Sequence, residues 1–358
     1  MGGVKPPTPR GAEGGTLRLL DIATQAGVSE ATASRVLNGK PGVAAATRQK
    51  VLAALDVLGY ERPVRLRQRS AGLIGLIIPE LTNPIFPAFA QVIEQVLAGY
   101  GYTPVLCTQM PGGSTEDELV EQLEERGVNG IVFLSGLHAD TTADTIRYAR
   151  LAERKVPFVL INGFNEQINA PFVSPDDRSA ARMAVRHLVD LGHERIGLAI
   201  GPTRFVPSRR KAEGFVAALH TMLGVGRHEA EKLIQRTLFT VEGGHAAGGA
   251  LVEAGCTGIV CGSDPMALGV IRAVRERGLD VPRDISVIGF DDSPLIPFTD
   301  PPLTTVRQPV QAMATAAVGA LLEEIGGTPV QRTEFVFQPE LVVRESTAQV
   351  ARRHDGGE

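Results

Sequence analysis

Tryptophan is absent from the 358-residue sequence, and cysteine occurs only three times. Cys107, Cys256 and Cys261 form no Cys-x-x-Cys pair and no plausible disulfide framework, so we expect buried, reduced thiols. No apolar run approaches the length of a membrane span. The first fifteen residues are rich in glycine and proline and lack the apolar core of a signal peptide, which predicts a disordered tail. Together these absences favour a cytoplasmic protein.

The motifs that mark common enzyme sites are also missing. The glycine-rich run 243–248 lacks the Gly-x-Gly-x-x-Gly spacing of a dinucleotide site, and the sequence has neither a phosphate-binding loop nor a nucleophile elbow. His187 and His193 are six residues apart, which does not place them on one helix face as metal ligands, and Gly192-His193 is assigned to a turn between a helix and a strand. We therefore expect no catalytic, metal or cofactor site.

Length and charge indicate more than one kind of domain. A chain of 358 residues suits two or three domains with a large core. Its net charge of −4 hides an asymmetry, because residues 1–70 carry +6 and residues 71–358 carry −10. A basic head on an acidic body is typical of a nucleic-acid-binding module joined to a domain that does not bind nucleic acid.

A helix-turn-helix is predicted within the basic head. Apolar residues recur at helical spacing from Leu19 to Ala26, and Gly27 can end this first helix because glycine adopts the left-handed conformation without steric cost. Ser29 is a natural N-cap for a second helix from about Glu30 to Leu37. A third helix is expected from about residue 45 to 58.

The outer face of the second helix suits the major groove of DNA. With Ala31, Val36 and Leu37 available for packing, the polar residues left outside are Thr32, Ser34, Arg35 and Asn38. An arginine can pair with guanine O6 and N7, while hydroxyl and amide groups hold phosphates. The alternative is an ordinary solvated helix in a helical hairpin.

The acidic body alternates short apolar runs with amphipathic helical stretches that end in glycine. This repetition predicts βαβ crossovers and parallel sheets, and a break near residues 165–175 suggests two similar lobes. The candidate strands are 73–78, 103–107, 130–134, 157–161, 195–200, 258–261 and 285–290.

Polar residues follow several of these strands. Ligands of open α/β sheets bind outside the carboxyl ends of the strands, where this chain has Asn162, Ser263-Asp264 and Asp291-Asp292. Carboxylates and amides there suit a polyhydroxy ligand. The alternative for each carboxylate is a helix N-cap or an interdomain salt bridge.

Three segments of the head, Leu19-Leu-Asp-Ile-Ala23, Ala26-Gly-Val-Ser29 and Thr32-Ala-Ser-Arg-Val-Leu-Asn38, closely resemble the DNA-binding headpiece of the lac-repressor (LacI/GalR) family of bacterial regulators. The resemblance implies DNA contacts from Ser29, Glu30, Ala31, Thr32, Ser34, Arg35, Asn38 and Thr47. Within this set, Glu30, Ala31 and Arg35 would face base edges. The carboxylate of Glu30, at the first of these positions, repels phosphate and can only accept a hydrogen bond, for instance from a cytosine amino group.

The body resembles the effector-binding core of the same family in segments 75–84, 187–193, 263–269, 284–292 and 302–306. The resemblance covers roughly residues 17–347. It implies two Rossmann-like lobes joined by three crossings, as in periplasmic sugar-binding proteins, with a small ligand between them and a homodimer built through the core. The residues implied at the ligand are Asn83, Ile85, Phe86, Phe89, Asn162, Lys211, Ser263, Asp264, Asp291 and Gln308.

Two positions depart from the family pattern. Lys211 stands where the family commonly has an arginine, and a lysine is a point charge without the guanidinium fork. Gly243-Gly244 stands where some members stack an aromatic ring on a sugar. Phe164, Phe205 or Phe86 would then supply the apolar wall.

The linker is the third departure. In the family a hinge helix inserts a leucine into the minor groove and bends the DNA. That position is Arg69 here, and the single leucine of the linker is Leu66, between Arg65 and Arg67. Either a shortened hinge folds with Leu66 as the wedge, or the wedge is absent and the arginines bind a narrowed groove by charge alone. We favour the first.

The sequence therefore predicts an all-α helix-turn-helix headpiece followed by a periplasmic-binding-protein-like α/β core. The predicted boundaries are a tail at 1–15, a headpiece at 16–60, a basic hinge at 61–72, a core at 73–348 and a polar tail at 349–358. Lobe one takes about 73–165 and 303–328, and lobe two about 172–300 and 331–347. The preferred function is a repressor that binds a pseudo-palindromic operator as a dimer and is controlled by a sugar or related metabolite. The alternative is a cytoplasmic sugar-binding or sugar-modifying α/β protein.

Overall fold

The fold is described from a computed structural model of the chain. It describes residues 19–38, 40, 42–59, 71–109 and 112–350, so the predicted N-terminal tail, the hinge up to Ser70 and the C-terminal tail from residue 351 onward lie outside the described residues. The chain divides into two compact units, one up to Ser70 and one from Ala71 onward.

The first unit contains the predicted helix-turn-helix. Its helices are α1 (Leu19–Ala26), α2 (Glu30–Leu37) and α3 (Ala45–Val57). Gly27 turns the chain with φ of +63°, and the Ser29 hydroxyl caps α2 by accepting a hydrogen bond from the Thr32 N–H at 3.2 Å. Such a cap stabilises a helix by about 1 kcal/mol. A small apolar core that includes Ile22, Val36 and Leu55 joins the three helices.

The second unit alternates strands and helices. Its first part consists of β1 (Gly72–Ile78), α4 (Ile85–Gly99), β2 (Tyr102–Thr108), α5 (Glu116–Glu125), β3 (Gly130–Leu134), α6 (Ile146–Glu153), β4 (Phe158–Ile161) and β5 (Phe172–Pro175). Its middle part consists of α7 (Asp177–Asp190), β6 (Ile196–Ile200), α8 (Val206–Leu223), α9 (Arg227–Lys232), β7 (Ile234–Arg236), α10 (Val241–Glu253), β8 (Gly258–Cys261), α11 (Asp264–Glu276), β9 (Ser286–Asp291) and β10 (Thr304–Arg307). The last part consists of α12 (Val310–Ile325), β11 (Glu334–Phe337) and β12 (Glu340–Val342).

These strands form two six-stranded sheets, which define two lobes. The order is β11-β5-β4-β3-β1-β2 in lobe one and β12-β10-β9-β8-β6-β7 in lobe two. All recorded pairings are parallel except that of β10 with β12. The chain crosses between the sheets three times, after β5, after β10 and after β11, as the family resemblance implied.

The predicted lobe boundaries are wrong at these crossings. β5 and β11 pair with each other in the sheet of lobe one, although their residues were assigned to lobe two. β10 pairs with β9 in lobe two, although it was assigned to lobe one. These strands are four residues long, too short to show a period, so only their pairing partners decide the lobe.

Each lobe has its own apolar core. In lobe one α4 and α12 pack on one face of the sheet, and the other face carries a cluster around Phe133, Tyr148 and Phe158. Cys256 and Cys261 are buried and Cys107 is half-buried, and all three are free thiols. Within the described part of the chain, no helix combines the length and apolar character needed to cross a membrane.

Candidate effector cavity and DNA-reading face

The outer face of α2 carries the predicted DNA contacts. Glu30, Arg35 and Asn38 are exposed, and Thr32 and Ser34 are half-buried. Ala31 is exposed, so its predicted role in packing is wrong, while its place on the DNA-reading face is retained. The amide of Asn38 donates to the Ser34 hydroxyl at 3.2 Å, which links two of the proposed phosphate contacts. Thr47 is half-buried on α3.

The proposed minor-groove residues Arg65, Leu66 and Arg67 lie outside the described residues. The choice between a leucine wedge and an arginine-only hinge therefore stays a prediction from the sequence.

A cavity of about 310 Å³ lies between the two lobes of the core. A volume of this size is at the lower end of the range for small-molecule sites. The predicted ligand residues that line it come from both sheets and from a crossing: Asn83, Ile85, Phe86, Asn162, Lys211, Ser263, Asp291 and Gln308. Most follow the carboxyl ends of strands, where the sequence placed them.

The polar centre of the cavity is the pair Asp291 and Gln308. The Gln308 amide nitrogen donates to Asp291 Oδ1 at 2.6 Å, and both side chains are buried. Burial raises the pKa of Asp291 well above its usual value, and the Asp264 carboxylate raises it further. Asp291 has φ of +112°, a left-handed conformation that only a fixed local structure maintains. The geometry holds the carboxyl group at the cavity wall.

Asn162 supplies the matching group in lobe one. Its amide nitrogen donates to the Ser135 hydroxyl at 3.1 Å, while its Oδ1 has no hydrogen-bond partner among the described residues. Gln308 Oε1 is likewise buried without a partner among them. Both oxygens belong to residues that line the cavity, although each oxygen is itself buried in the wall.

Lys211 is neutralised by a carboxylate that the sequence analysis did not identify. Its Nζ lies 2.5 Å from Asp177 Oδ1 and 3.9 Å from the centre of the Phe290 ring. Both side chains of the ion pair are almost fully buried and both line the cavity. Asp177 begins α7 directly after the first crossing, a position that resembles an ordinary helix start in the sequence.

Phenylalanine rings form the apolar wall. Phe86, Phe205, Phe239 and Phe290 line the cavity. Phe239 was not predicted, since it lies in a loop without a pattern. Phe164 instead packs edge-on against Phe172, with ring centres 5.1 Å apart, so its proposed place on the wall is wrong.

Two further predicted residues lie behind the wall. Phe89 is completely buried in the core of lobe one and does not line the cavity. Asp264 is completely buried and accepts hydrogen bonds from the Ser293 N–H at 2.7 Å and the Thr305 hydroxyl at 2.6 Å. Ser263 caps α11 by accepting from the Met266 N–H at 3.4 Å. Asp264 therefore supports the loop that follows β9, whose last residue is Asp291.

Asp292 and Gly244 also have structural roles. Asp292 forms salt bridges with Arg307 at 2.7 Å and Arg344 at 2.6 Å. Both partners lie in lobe two, so these salt bridges do not join the two lobes. A Cβ on Gly244 would lie 2.1 Å from the Met266 carbonyl oxygen. The glycine allows α10 to approach α11 closely.

The lobes contact each other directly at the rim of the cavity. Asp140 of lobe one and Phe205 of lobe two form an isolated antiparallel bridge, and the Thr141 N–H donates to the Arg204 carbonyl at 2.8 Å. Arg204 Nε lies 3.1 Å from Asp140 Oδ2. We call these four residues, Asp140, Thr141, Arg204 and Phe205, the interlobe latch. Three of its residues, Asp140, Arg204 and Phe205, line the cavity.

The loop that carries the latch in lobe one is held by Glu116. The buried Glu116 carboxylate accepts from the Tyr148 hydroxyl at 2.5 Å, the Gln109 amide at 2.6 Å and the Leu137 N–H at 2.9 Å. His138 next to it is fully buried, and burial lowers its pKa to about 4. The loop is thereby fixed by a polar network inside the lobe.

His187 and His193, whose spacing argues against a metal site, both have hydrogen-bond partners within the core. His193 follows α7 in the turn before β6 and contacts Thr257, Ser286 and the Ala348 carbonyl at 2.9–3.1 Å. His187 contacts the Thr347 hydroxyl at 2.9 Å. Both histidines fasten the segment after β12 to lobe two.

A helix-turn-helix unit joined to a two-lobed core with a cavity between the lobes defines the class of ligand-responsive DNA-binding regulators. Comparison with known proteins agrees: residues 18–62 match the family described as bacterial regulatory proteins, lacI family. Residues 185–347 match the periplasmic binding protein-like domain.

Full-length relatives extend this match to nearly the whole chain. An HTH-type transcriptional regulator from the aml 5′ region of Streptomyces limosus is 78% identical, over 96% of this chain and 98% of that protein. The HTH-type transcriptional regulator MalR of Streptomyces coelicolor is 70% identical, over 93% and 97%. The chain belongs to the lacI family of bacterial regulatory proteins.

Two solved structures are similar throughout. The CelR–cellobiose complex has 30% identity and a TM-score of 0.68, over 92% of this chain and all of that one. The lac repressor dimer bound to operator and the anti-inducer ONPF has 28% identity and a TM-score of 0.67, over 93% and 99%. The chain is a sequence-specific DNA-binding transcriptional regulator that responds to a small ligand, and it is not an enzyme.

Proposed function

We propose that this regulator is a cytoplasmic repressor that binds a pseudo-palindromic operator as a homodimer and is controlled by a sugar held in the interlobe cavity. One observation carries the proposal. The cavity brings hydrogen-bonding groups from both lobes and from a crossing to one space, so a bound ligand favours one arrangement of the lobes over another.

The ligands described for similar proteins support a sugar as the effector. CelR is described with bound cellobiose, and a lacI-family regulator of Enterococcus faecium, 26% identical with a TM-score of 0.68, is described with bound ribose. The ligand contacts we propose are the eight lining residues Asn83, Ile85, Phe86, Asn162, Lys211, Ser263, Asp291 and Gln308. Phe89 and Asp264 support them from behind the wall.

The DNA side follows from the exposed face of α2. In our proposal Arg35 pairs with a guanine, while Thr32, Ser34, Asn38 and Thr47 hold phosphates. Glu30 and Ala31 complete the base-facing set, and Ser29 is a further DNA contact. The lac repressor is described as a dimer on its operator, and a dimer of this chain would place two copies of α2 on two half-sites. Arg65, Leu66 and Arg67 complete the proposed DNA contacts from the hinge.

The test begins with selection of DNA. Purified full-length protein is incubated with sheared genomic fragments, and bound fragments are sequenced; we expect enrichment of a two-fold symmetric site. Sedimentation with the selected fragment should give two chains per site. Release or tightening of the complex is then measured with neutral mono- and disaccharides, with the Arg35→Ala protein as the control for specific binding. Selection without any symmetric site would contradict the dimer-operator assignment.

A further inference from the structure

We infer that the effector cavity selects an uncharged, hydroxyl-rich molecule and rejects sugars that carry a phosphate or carboxylate group. This inference rests on the proposed function, in which the same cavity binds the effector, and it adds the charge and hydrogen-bonding character of that effector.

The charges of the cavity wall leave an anion without a partner. Among the described residues that line the cavity, the cationic side chains are Arg204 and Lys211. Arg204 is paired with Asp140 at 3.1 Å, and Lys211 with Asp177 at 2.5 Å. The wall also contains the carboxyl groups of Glu80 and Asp291. An anionic ligand would therefore lose its hydration against a wall with more acidic than basic groups.

The buried hydrogen-bonding groups point to the same choice. Asn162 and Gln308 are 7% and 6% exposed, and each has a buried side-chain oxygen without a partner among the described residues. Their amide nitrogens already donate, to Ser135 and Asp291 respectively. The unpaired polar atoms of these two lining residues are thus acceptors, which pair only with a group that donates, such as a hydroxyl. An ionised phosphate or carboxylate group only accepts, so such a group placed beside these oxygens cannot satisfy them, whereas a sugar hydroxyl can.

The N-termini of α7 and α11, which begin at the cavity, do not provide free binding sites for an anion. A helix N-terminus attracts anions because its first N–H groups are unpaired. However, α7 begins with Asp177, and α11 begins with Asp264 behind its Ser263 cap. α8 has a proline in its first turn, which removes one N–H group. The protein's own carboxylates therefore already occupy the favourable environment at α7 and α11.

The apolar wall fits a sugar ring. Phe86, Phe205, Phe239 and Phe290 contribute aromatic side chains to the cavity wall. The C–H faces of a pyranose can cover such rings while its hydroxyls pair with the polar groups of the wall. An uncharged sugar meets both requirements.

The experiment uses matched ligands with the full-length protein on its selected DNA fragment. The panel consists of glucose with glucose 6-phosphate, gluconate and glucosamine, and of maltose and cellobiose with their aldonic acids. Binding is measured by calorimetry, and DNA release by fluorescence anisotropy. We expect a neutral sugar to bind and to change DNA affinity, and its anionic counterpart to bind more than about 100-fold more weakly, the ratio expected when a buried anion lacks compensation.

A charge variant tests the cause. Glu80→Gln, at a half-buried residue of the cavity wall, keeps the shape and removes one acidic group, so the ratio of neutral to anionic affinity should fall about tenfold. An unchanged ratio in Glu80→Gln would show that the charge of the wall is not the cause. Asp190→Asn removes an exposed carboxylate outside the cavity and should leave the ratio unchanged.

The outcomes separate this inference from the proposed function. Equal or tighter binding of a phosphorylated or acidic sugar overturns the inference but leaves a sugar-controlled repressor intact. Binding of glucosamine alone also overturns it, since the acidic groups would then select a cation. No binding by any member of the panel overturns the sugar assignment itself, while DNA selection still reports on the regulator.

Discussion

Arg35 is the residue on which reading of the operator depends in our proposal. It is exposed near the C-terminal end of α2, with the long side chain needed to reach a base edge. Arg35→Ala should cost about 1–3 kcal/mol at the operator and relax preference at one base position. Thr47→Ala removes a phosphate contact instead, so it should weaken binding to operator and random DNA together. Anisotropy titrations with both DNAs measure the difference, and an unchanged operator-to-random ratio for Arg35→Ala would rule out the base contact.

His138 makes the stability of the core depend on pH. Its pKa is about 4 in the folded chain because burial disfavours the charged ring, whereas the unfolded chain protonates it near pH 6.5. The unfolded state therefore binds more protons in this window, and folding stability falls as the pH drops through it. From this residue we expect a loss of about 2 kcal/mol between pH 7 and pH 5.

Substitution isolates the His138 contribution. His138→Phe retains an aromatic ring beside Tyr148 and Phe172. Between pH 7 and pH 5 its free energy of unfolding, measured by urea titration with circular dichroism, should fall by about 2 kcal/mol less than that of the parent. His228→Gln changes an exposed histidine and is the matched control. An identical pH dependence in the parent and His138→Phe would show that the titration of His138 does not limit stability.

At the scale of elements, the interlobe latch determines how readily the cavity opens. Arg204→Ala removes the ion pair with Asp140 and the contact of the guanidinium with the Phe205 ring, 5.0 Å from its centre. The Arg204 side chain is 56% exposed, so the pair contributes less than about 1 kcal/mol.

Hydrogen exchange of the Thr141 amide, which donates across the latch, measures the opening. We expect exchange about 2–5-fold faster in Arg204→Ala without ligand. Arg209→Ala, an exposed arginine on α8 outside the cavity wall, should leave the Thr141 rate unchanged. A parent-like rate in Arg204→Ala would mean that the backbone bridge alone holds the lobes together.

At the scale of the whole molecule, regulation requires that ligand and DNA influence each other through the linker. Leu66→Ala should reduce bending of the operator and specific affinity, while non-specific affinity, set mainly by charge, remains nearly intact. Energy transfer between dyes at the operator ends reports the bend. Leu238→Ala truncates an exposed leucine of the core and is the control. Parent-like bending in Leu66→Ala would favour the arginine-only hinge.

Local sequence determined much of this protein. Helix periodicity, Gly27 and the Ser29 cap specify α2 within a few residues, because these signals act over one or two turns of chain. Alternation of helices and apolar runs likewise specified the parallel sheets, and residues after strand ends indicated most of the cavity wall.

Only the tertiary structure decided which groups meet across the cavity. The lobe of β5, β10 and β11 depends on pairing with strands distant in sequence. Asp177 and Phe239 have no local signature, and their roles arise from the position of Lys211 and of the facing lobe. The interlobe latch joins residues about sixty positions apart. Local patterns report backbone preference and burial, whereas ion pairs, orphaned acceptors and lobe contacts depend on long-range packing, which those patterns do not encode.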